Sequence, residues 1–382
     1  MGNFTTVSFP GLGWTFNIPS EAFSIGNYSV KWYGIIIALG FTLAVIYGGR
    51  MAYKWKMSLD GMLDVLLWGT FLGIIGARVY YVAFEWDRYK DNIWDAFKIW
   101  EGGIAIYGGI IGALIGAMIA CKLSKVDFRN LLDLGALGLL IGQGIGRWGN
   151  FMNQEAFGTN TDTALFRMTS PKITETLLRD QAMLLEKGIT VDPYMPVHPT
   201  FLYESVWCLL GFVILHFICK KYRKFKGEIF MLYGVWYGFE RMVVEGLRTD
   251  SLYIPNTTIR VSQALSALII LVAAAALIID FVRLKKGTLP KSAIITPVGE
   301  TVEAEKAAVD VKQEDKEEVK AENEPKDDEI KLEEMKELDE CIVTDIDDKD
   351  NDFVKKAVDM FNNAVAMAEN DKEKEEKDGK ID

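Results

Sequence analysis

Long apolar runs alternate with short polar connections through the first three quarters of the chain and then stop. A bilayer core about 30 Å thick asks for roughly 20 mostly apolar residues in helical conformation. Seven runs are of this order: Trp32 to Gly49, Met62 to Phe84, Gly103 to Cys121, Leu131 to Phe151, Phe201 to Cys219, Ile229 to Leu247 and Val261 to Val282. The last is the cleanest, whereas Gly135, Gly138, Gly142, Gly144, Gly146 and Gly149 interrupt the fourth. The pattern predicts an all-α membrane protein of seven transmembrane helices. Its parts are an N-terminal segment (1–31), a transmembrane domain (32–286) and a polar remainder (287–382). The first run lacks the short basic leader and small-residue cleavage site of a signal peptide, so it reads as a retained helix.

Basic residues set the expected orientation, because short cytoplasmic connections are enriched in Lys and Arg. One set of connections is basic throughout: Arg50, Lys54 and Lys56; Lys122, Lys125 and Arg129; Lys220 to Lys226; and Arg283, Lys285 and Lys286. The N-terminus is therefore expected outside and the C-terminus in the cytoplasm. The connection 159–197 is long and carries Pro171, Pro193 and Pro196, and reads as a small ordered extracytoplasmic head.

Charge divides the chain in the same way. From Lys291 to Asp382 there are 15 Lys and Arg against 31 Asp and Glu, a net of −16, which leaves +5 for residues 1–290. Such a tail is too polar to offset its ordering entropy and reads as mostly disordered. Only Phe353 to Met367 has apolar residues at helical spacing. Nucleic-acid binding does not fit this balance. Cys121, Cys208, Cys219 and Cys341 have neither CxxC nor metal-ligand spacing with the two histidines, so neither a disulfide framework nor a metal site is expected.

With that topology the unusual polar residues fall toward the outer face. Tyr33 starts the first helix, Arg78 lies late in the second and Tyr107 early in the third. Arg147 and Asn150 close the fourth, followed by Glu155 and Gly158; His198 and Glu204 open the fifth. Arg241, Glu245 and Arg248, spaced by four and three, share one face of the sixth. Ionisable residues at membrane depth are costly unless paired, snorkelling or lining a wet cavity. Snorkelling would explain one stripe, but not arginines converging from three helices. Guanidinium groups suit an anionic ligand such as a phospholipid headgroup. Gly108, Gly112 and Gly116 read as a helix-packing stripe. The run GQGIGRWGNFMNQEAFG, Gly142 to Gly158, interleaves glycines with polar side chains and reads instead as irregular backbone, which a membrane tolerates where it is buried in protein or lines a cavity.

Taken together, GRWGNFMNQEAFG (Gly146 to Gly158), HPTFLYES (His198 to Ser205) and YGFERMVVEGLR (Tyr237 to Arg248) resemble the blocks of bacterial prolipoprotein diacylglyceryl transferases. WYG at Trp32 to Gly34 and GARVYY at Gly76 to Tyr81 extend the likeness. The resemblance implies a multi-pass enzyme of the bacterial plasma membrane. It would move a diacylglyceryl group from phosphatidylglycerol to the lipobox cysteine of a prolipoprotein signal peptide, with no cofactor, releasing glycerol phosphate. It also implies that Arg147, Asn150, Arg241 and Arg248 bind the lipid. Glu155, Glu204, Tyr237, Arg241, Glu245 and Arg248 match the polar lining, Gly158 closes the signature, and Tyr33 matches an outer tyrosine of the first helix.

Two departures stand out. Many members read HGG where this chain has Tyr107, Gly108 and Gly109, and a phenol with pKa near 10 is a poor base at neutral pH. Tyr107 therefore reads as a hydrogen-bond donor within the catalytic set of Arg147, Arg241 and Glu245. The acidic tail is the other departure, and its partner is not legible. The expected chemistry is a phosphate clamp of Arg147 and Arg241, oriented by Glu155, Glu204 and Glu245, one of which takes the thiol proton. His198 reads as a structural cap or an interfacial residue rather than a catalyst. A transporter would spread charges through the full depth, and a seven-helix receptor would signal through its tail; neither explains the outer cluster.

Overall fold

The computed structural model describes residues 4–19, 21–25, 28–254 and 257–295. The expected disordered tail from 296 onward, including Phe353 to Met367, lies outside the described residues.

The N-terminal segment corrects the all-α expectation. Alternation of apolar and polar positions in Phe4–Phe9 has the period of a strand, and this stretch forms β1, paired antiparallel with β2 (Trp14–Pro19) in the register Phe4 to Pro19. A second small hairpin joins β3 (Phe23–Ile25) to β4 (Tyr28–Val30). These strands are far shorter than the apolar runs that dominate the chain, so they left no mark on the helical pattern.

All seven apolar runs form helices. Five are long and apolar enough to cross a membrane: α1 (Trp32–Lys54), α2 (Leu59–Phe84), α4 (Ile106–Leu123), α7 (Thr200–Lys221) and α9 (Val261–Lys285). Between α2 and α4 lies the single turn α3 (Trp86–Tyr89). The other two long helices, α5 (Phe128–Asn153) and α8 (Glu228–Glu245), are more polar, because they carry Asp133, Arg147, Glu240, Arg241 and Glu245. Their packing explains the difference. α5 lies against α1, α7 and α8, and α8 packs against α9 as well, so both bury polar faces in protein. The apolar helices instead leave large side chains open: Leu67 is 67 % exposed, Leu271 68 % and Phe217 62 %. A water-soluble protein would not display such a surface, and the chain is a multi-pass membrane protein.

Small residues bring α2 and α4 together, as their spacing predicts. A side chain at Gly112 would strike the Leu72 carbonyl, one at Gly116 the Trp68 carbonyl and one at Gly108 the Gly76 carbonyl. The connection 159–197 contains α6 (Pro171–Glu186), capped by the Ser170 hydroxyl accepting from Ile173 N at 3.1 Å. Its Ile173, Leu177 and Leu184 bury against Val7, Phe9 and Ile18 of the first hairpin. Ser8 and Thr169 exchange two backbone hydrogen bonds of 2.9 Å, which tie that hairpin to the segment leading into α6.

At the opposite end of the bundle, α8 begins at Gly227, which has φ +93° and no side chain to cap the helix. Asp133 of α5 does so: its carboxylate accepts from Gly227 N at 2.7 Å and Phe230 N at 2.8 Å, with Arg223 Nη2 at 2.6 Å. The ordered chain also runs past the expected boundary at Lys286. Leu289 and Ala293 bury against Phe225, and Lys226 N donates to Ala293 O at 2.9 Å.

Candidate functional site

α5 determines where the site forms. It stays regular through Gly142 to Asn153, contrary to the irregular backbone expected from its glycines. Those glycines serve close approach: a Cβ at Gly144 would lie 2.9 Å from Leu209 Cγ, and one at Gly149 2.8 Å from the Tyr33 ring. The backbone breaks just beyond, at Gln154 and Ala156, with φ of 52° and 57°. Left-handed conformations in non-glycine residues are disfavoured, and packing holds them here. Thr200 Oγ1 donates to the Ala156 carbonyl, while Gln154 is buried.

Gly158 then ties three segments together. Its N–H donates to His198 O at 2.9 Å, Thr159 N donates to Leu247 O at 2.7 Å, and Gly158 bridges Arg248 backbone to backbone. A Cβ here would sit 2.8 Å from His198 Cβ and 3.1 Å from Leu247 O. Absence of a side chain, rather than unusual φ, is what the position requires. α5 and α7 are also clasped, by Trp148 Nε1 donating to Ser205 Oγ at 3.1 Å and Ser205 Oγ to Gly144 O at 2.7 Å.

These constraints deliver three arginines to one carboxylate. Glu204, fully buried on α7, pairs through Oε2 with Arg147 Nε of α5. Its Oε1 lies 3.3 Å from Arg241 Nη1 of α8 and 3.5 Å from Arg248 Nη1 just beyond α8. Arg241 Nη2 also meets Glu245 Oε2 at 2.6 Å, and Arg248 meets Asp250 twice, at 2.8 and 2.6 Å. Three guanidinium groups are thus matched by the carboxylates of Glu204, Glu245 and Asp250. The arginine side chains keep 20 %, 18 % and 11 % of their surface for Arg147, Arg241 and Arg248. Each can therefore turn donors toward an incoming anion, for which the guanidinium fork is suited.

The other expected residues divide around this cluster. Tyr237 lies one helical turn before Arg241 and stacks on Tyr233 at 5.6 Å. Tyr33 packs on Gly149, next to Asn150. Two expectations are corrected. Arg78 does not join the arginines: its guanidinium donates to the carbonyls of Asp95, Ala96, Lys98, Gly102 and Gly103 at 2.6 to 3.2 Å, pinning the α2–α4 connection. Glu155 does not orient arginines either: it is exposed, and its Oε1 accepts from Asn150 Nδ2 at 3.0 Å and Asn153 Nδ2 at 3.2 Å. Its contacts are with these two asparagines at the end of α5, and no guanidinium pairs with it among the described residues. Tyr107 is 37 % exposed on α4, the partner of α2. His198 has a structural setting, with Nδ1 3.2 Å from the Tyr203 hydroxyl and burial lowering its pKa, which favours the neutral ring.

Sequence reasoning missed Asp250, the bidentate partner of Arg248, and Glu240, which is 3 % exposed on α8. The signal was available in helical spacing: Tyr233, Tyr237, Glu240 and Val244 recur at four, three and four, which puts Glu240 on an inward face.

A family model described as prolipoprotein diacylglyceryl transferase matches residues 20–279, which hold every helix of the arginine cluster. A Listeria monocytogenes protein named phosphatidylglycerol–prolipoprotein diacylglyceryl transferase is 45 % identical over 252 residues, covering 66 % of this chain and 86 % of its own length. Proteins of the same name from Lysinibacillus sphaericus and Finegoldia magna are 42 % and 43 % identical, covering 69 % and 65 % of this chain and 93 % and 91 % of their own lengths. The matched span includes the arginines, the carboxylate that gathers them and Gly158, where the segments following α5 and α8 meet, and the chain belongs to the prolipoprotein diacylglyceryl transferase family.

Proposed function

We propose that this chain transfers the diacylglyceryl group of phosphatidylglycerol to the cysteine thiol of a prolipoprotein signal peptide, the first step of lipoprotein maturation. The C–O bond between the diacylglyceryl carbon and the phosphate breaks, a C–S thioether forms, the thiol proton is released and glycerol phosphate leaves. The observation that carries this reading is the convergence of Arg147, Arg241 and Arg248 on the buried Glu204.

Displacement at an unactivated glycerol carbon needs a stabilised leaving group. Arg147 and Arg241 take the phosphate oxygens and offset the charge that develops on them. Arg248 and Asn150 complete the lipid contact, while Glu204 and Glu245 hold the guanidinium groups in place. The same positive field favours the thiolate of the incoming cysteine, whose free thiol has a pKa near 8.5. Tyr107 offers a hydrogen bond from α4, and Tyr33, Tyr237 and Gly158 shape the walls.

All seven long helices cross the bilayer in this reading. At 1.5 Å per residue, α5 with 26 residues is about 39 Å long and α8 with 18 about 27 Å, sufficient for a core about 30 Å thick with modest adjustment. The basic connections mark the cytoplasmic side, so the arginine cluster and α6 face outward in the plasma membrane, where a translocated signal peptide presents its cysteine.

The test is lipidation of a lipobox peptide by the purified protein with phosphatidylglycerol, read by mass. A gain of one diacylglyceryl group is expected, with the Arg147→Ala and Arg241→Ala variants losing it. Near-normal transfer by both variants would overturn the phosphate clamp.

A further inference from the structure

Glu240 has no role in the arrangement so far, yet it is the most conspicuous polar side chain near it. Among the described residues it alone has both carboxylate oxygens buried without a hydrogen-bond partner. Its neighbour Arg241 is committed to Glu204 and Glu245. Glu240 directly precedes Arg241 on α8 and is as deeply buried as the carboxylates that hold that arginine, so it stands at the edge of the arginine cluster. Buried polar atoms are almost always satisfied. Two acceptor oxygens without a protein donor, beside a site built for an anion, ask for donors from the ligand.

The lipid of the proposed reaction supplies two. Its headgroup is a glycerol whose two hydroxyls lie just beyond the phosphate ester oxygen. We propose that Glu240 receives these hydroxyls and thereby selects phosphatidylglycerol over phospholipids whose headgroups lack them. This rests on the transfer reaction proposed above and adds the part of the site that reads the headgroup. An acidic side chain against a sugar hydroxyl is a recurrent solution to the same problem. A cationic headgroup could also satisfy a carboxylate, so phosphatidylethanolamine is one arm of the test.

Two lipids with identical acyl chains separate the hydroxyls from the rest of the ligand: phosphatidylglycerol, and phosphatidylpropanol, which keeps the phosphodiester and the three-carbon headgroup but has no hydroxyl. kcat/KM for lipobox-peptide lipidation is measured with each on the same preparation, so that loss of folded protein cancels in the ratio. The unsubstituted chain should favour phosphatidylglycerol by about tenfold to a hundredfold, the effect of losing one or two hydrogen bonds to a buried acceptor. Glu240→Leu should bring the ratio close to one, and Glu240→Gln, which retains one acceptor oxygen, should fall between. A ratio near one in the unsubstituted chain, or an unchanged ratio in Glu240→Leu, would overturn the assignment. Equal use of phosphatidylethanolamine and phosphatidylglycerol would overturn it too. Failure of the unsubstituted chain to lipidate the peptide with any lipid would instead refute the transfer reaction itself.

Discussion

Replacing Glu204 by Gln keeps the shape of the side chain and removes the charge on which three arginines converge. The three do not suffer equally. Arg241 keeps Glu245 at 2.6 Å and Arg248 keeps its two contacts with Asp250, but Arg147 retains no carboxylate partner among the described residues. Removing one member of a buried ion pair costs about 3–5 kcal/mol because the other charge stays behind. The amide oxygen can still accept one hydrogen bond, so about 3 kcal/mol is expected. For a domain of this size that is a fall in Tm of roughly 5 °C. Glu245→Gln leaves Arg241 its contact with Glu204 and should cost only about 1–2 kcal/mol. Thermal unfolding in detergent ranks the two variants, and peptide lipidation should fall about a hundredfold in Glu204→Gln, as displaced catalytic groups do. If Glu204→Gln unfolds within a degree or two of the unsubstituted chain, or is no less stable than Glu245→Gln, Glu204 is not the counter-charge that assembles the arginines.

Two further outcomes test the assignments of residues outside the cluster. Arg78→Ala should loosen the α2–α4 connection by at least about 3 kcal/mol, since five carbonyls lose a charged donor, seen as faster hydrogen exchange over residues 86–104; an unchanged exchange pattern would contradict the pinning role. Burial lowers the pKa of His198, so the unfolded chain binds its proton more readily than the folded one. Its share of stability is complete above the unfolded value near 6.5 and declines as pH falls through that value toward the lower folded one; His198→Gln should make the acid limb of a Tm–pH curve shallower.

The helices were legible because a bilayer imposes one length and one polarity on whatever crosses it. The end positions were less so: the run read as Trp32 to Gly49 continues to Lys54, since Arg50 and Lys54 can remain helical while their charges reach the interface. The N-terminal hairpins escaped because β1 buries only one face, against α6, and α6 itself depends on that partner to cover Ile173 and Leu177. Each is a weak local signal that becomes structure only when the two meet, and nothing in either stretch names the other. The cap that Asp133 places on α8 was hidden for the same reason, since donor and acceptor are separated by a helix, a long connection and another helix.

The arginines make the point most directly. Arg78 and Arg147 look alike in the sequence: each lies in the last turns of an apolar run, with glycine one or two residues before it. An arginine at membrane depth must find acceptors, but the kind of acceptor decides what it can do afterwards. Arg78 meets the carbonyls of a connection that folds back over it, and its donors are all engaged in holding that connection. Arg147 meets a single carboxylate shared with two other guanidinium groups, an arrangement with fewer acceptor positions than donors. The surplus of donors is what an anionic substrate can use. Whether an arginine has every donor engaged or some to spare therefore depends on the segment packed against it, and for Arg147 that segment is α7, which presents Glu204 because Gly144 and Ser205 let the two helices touch.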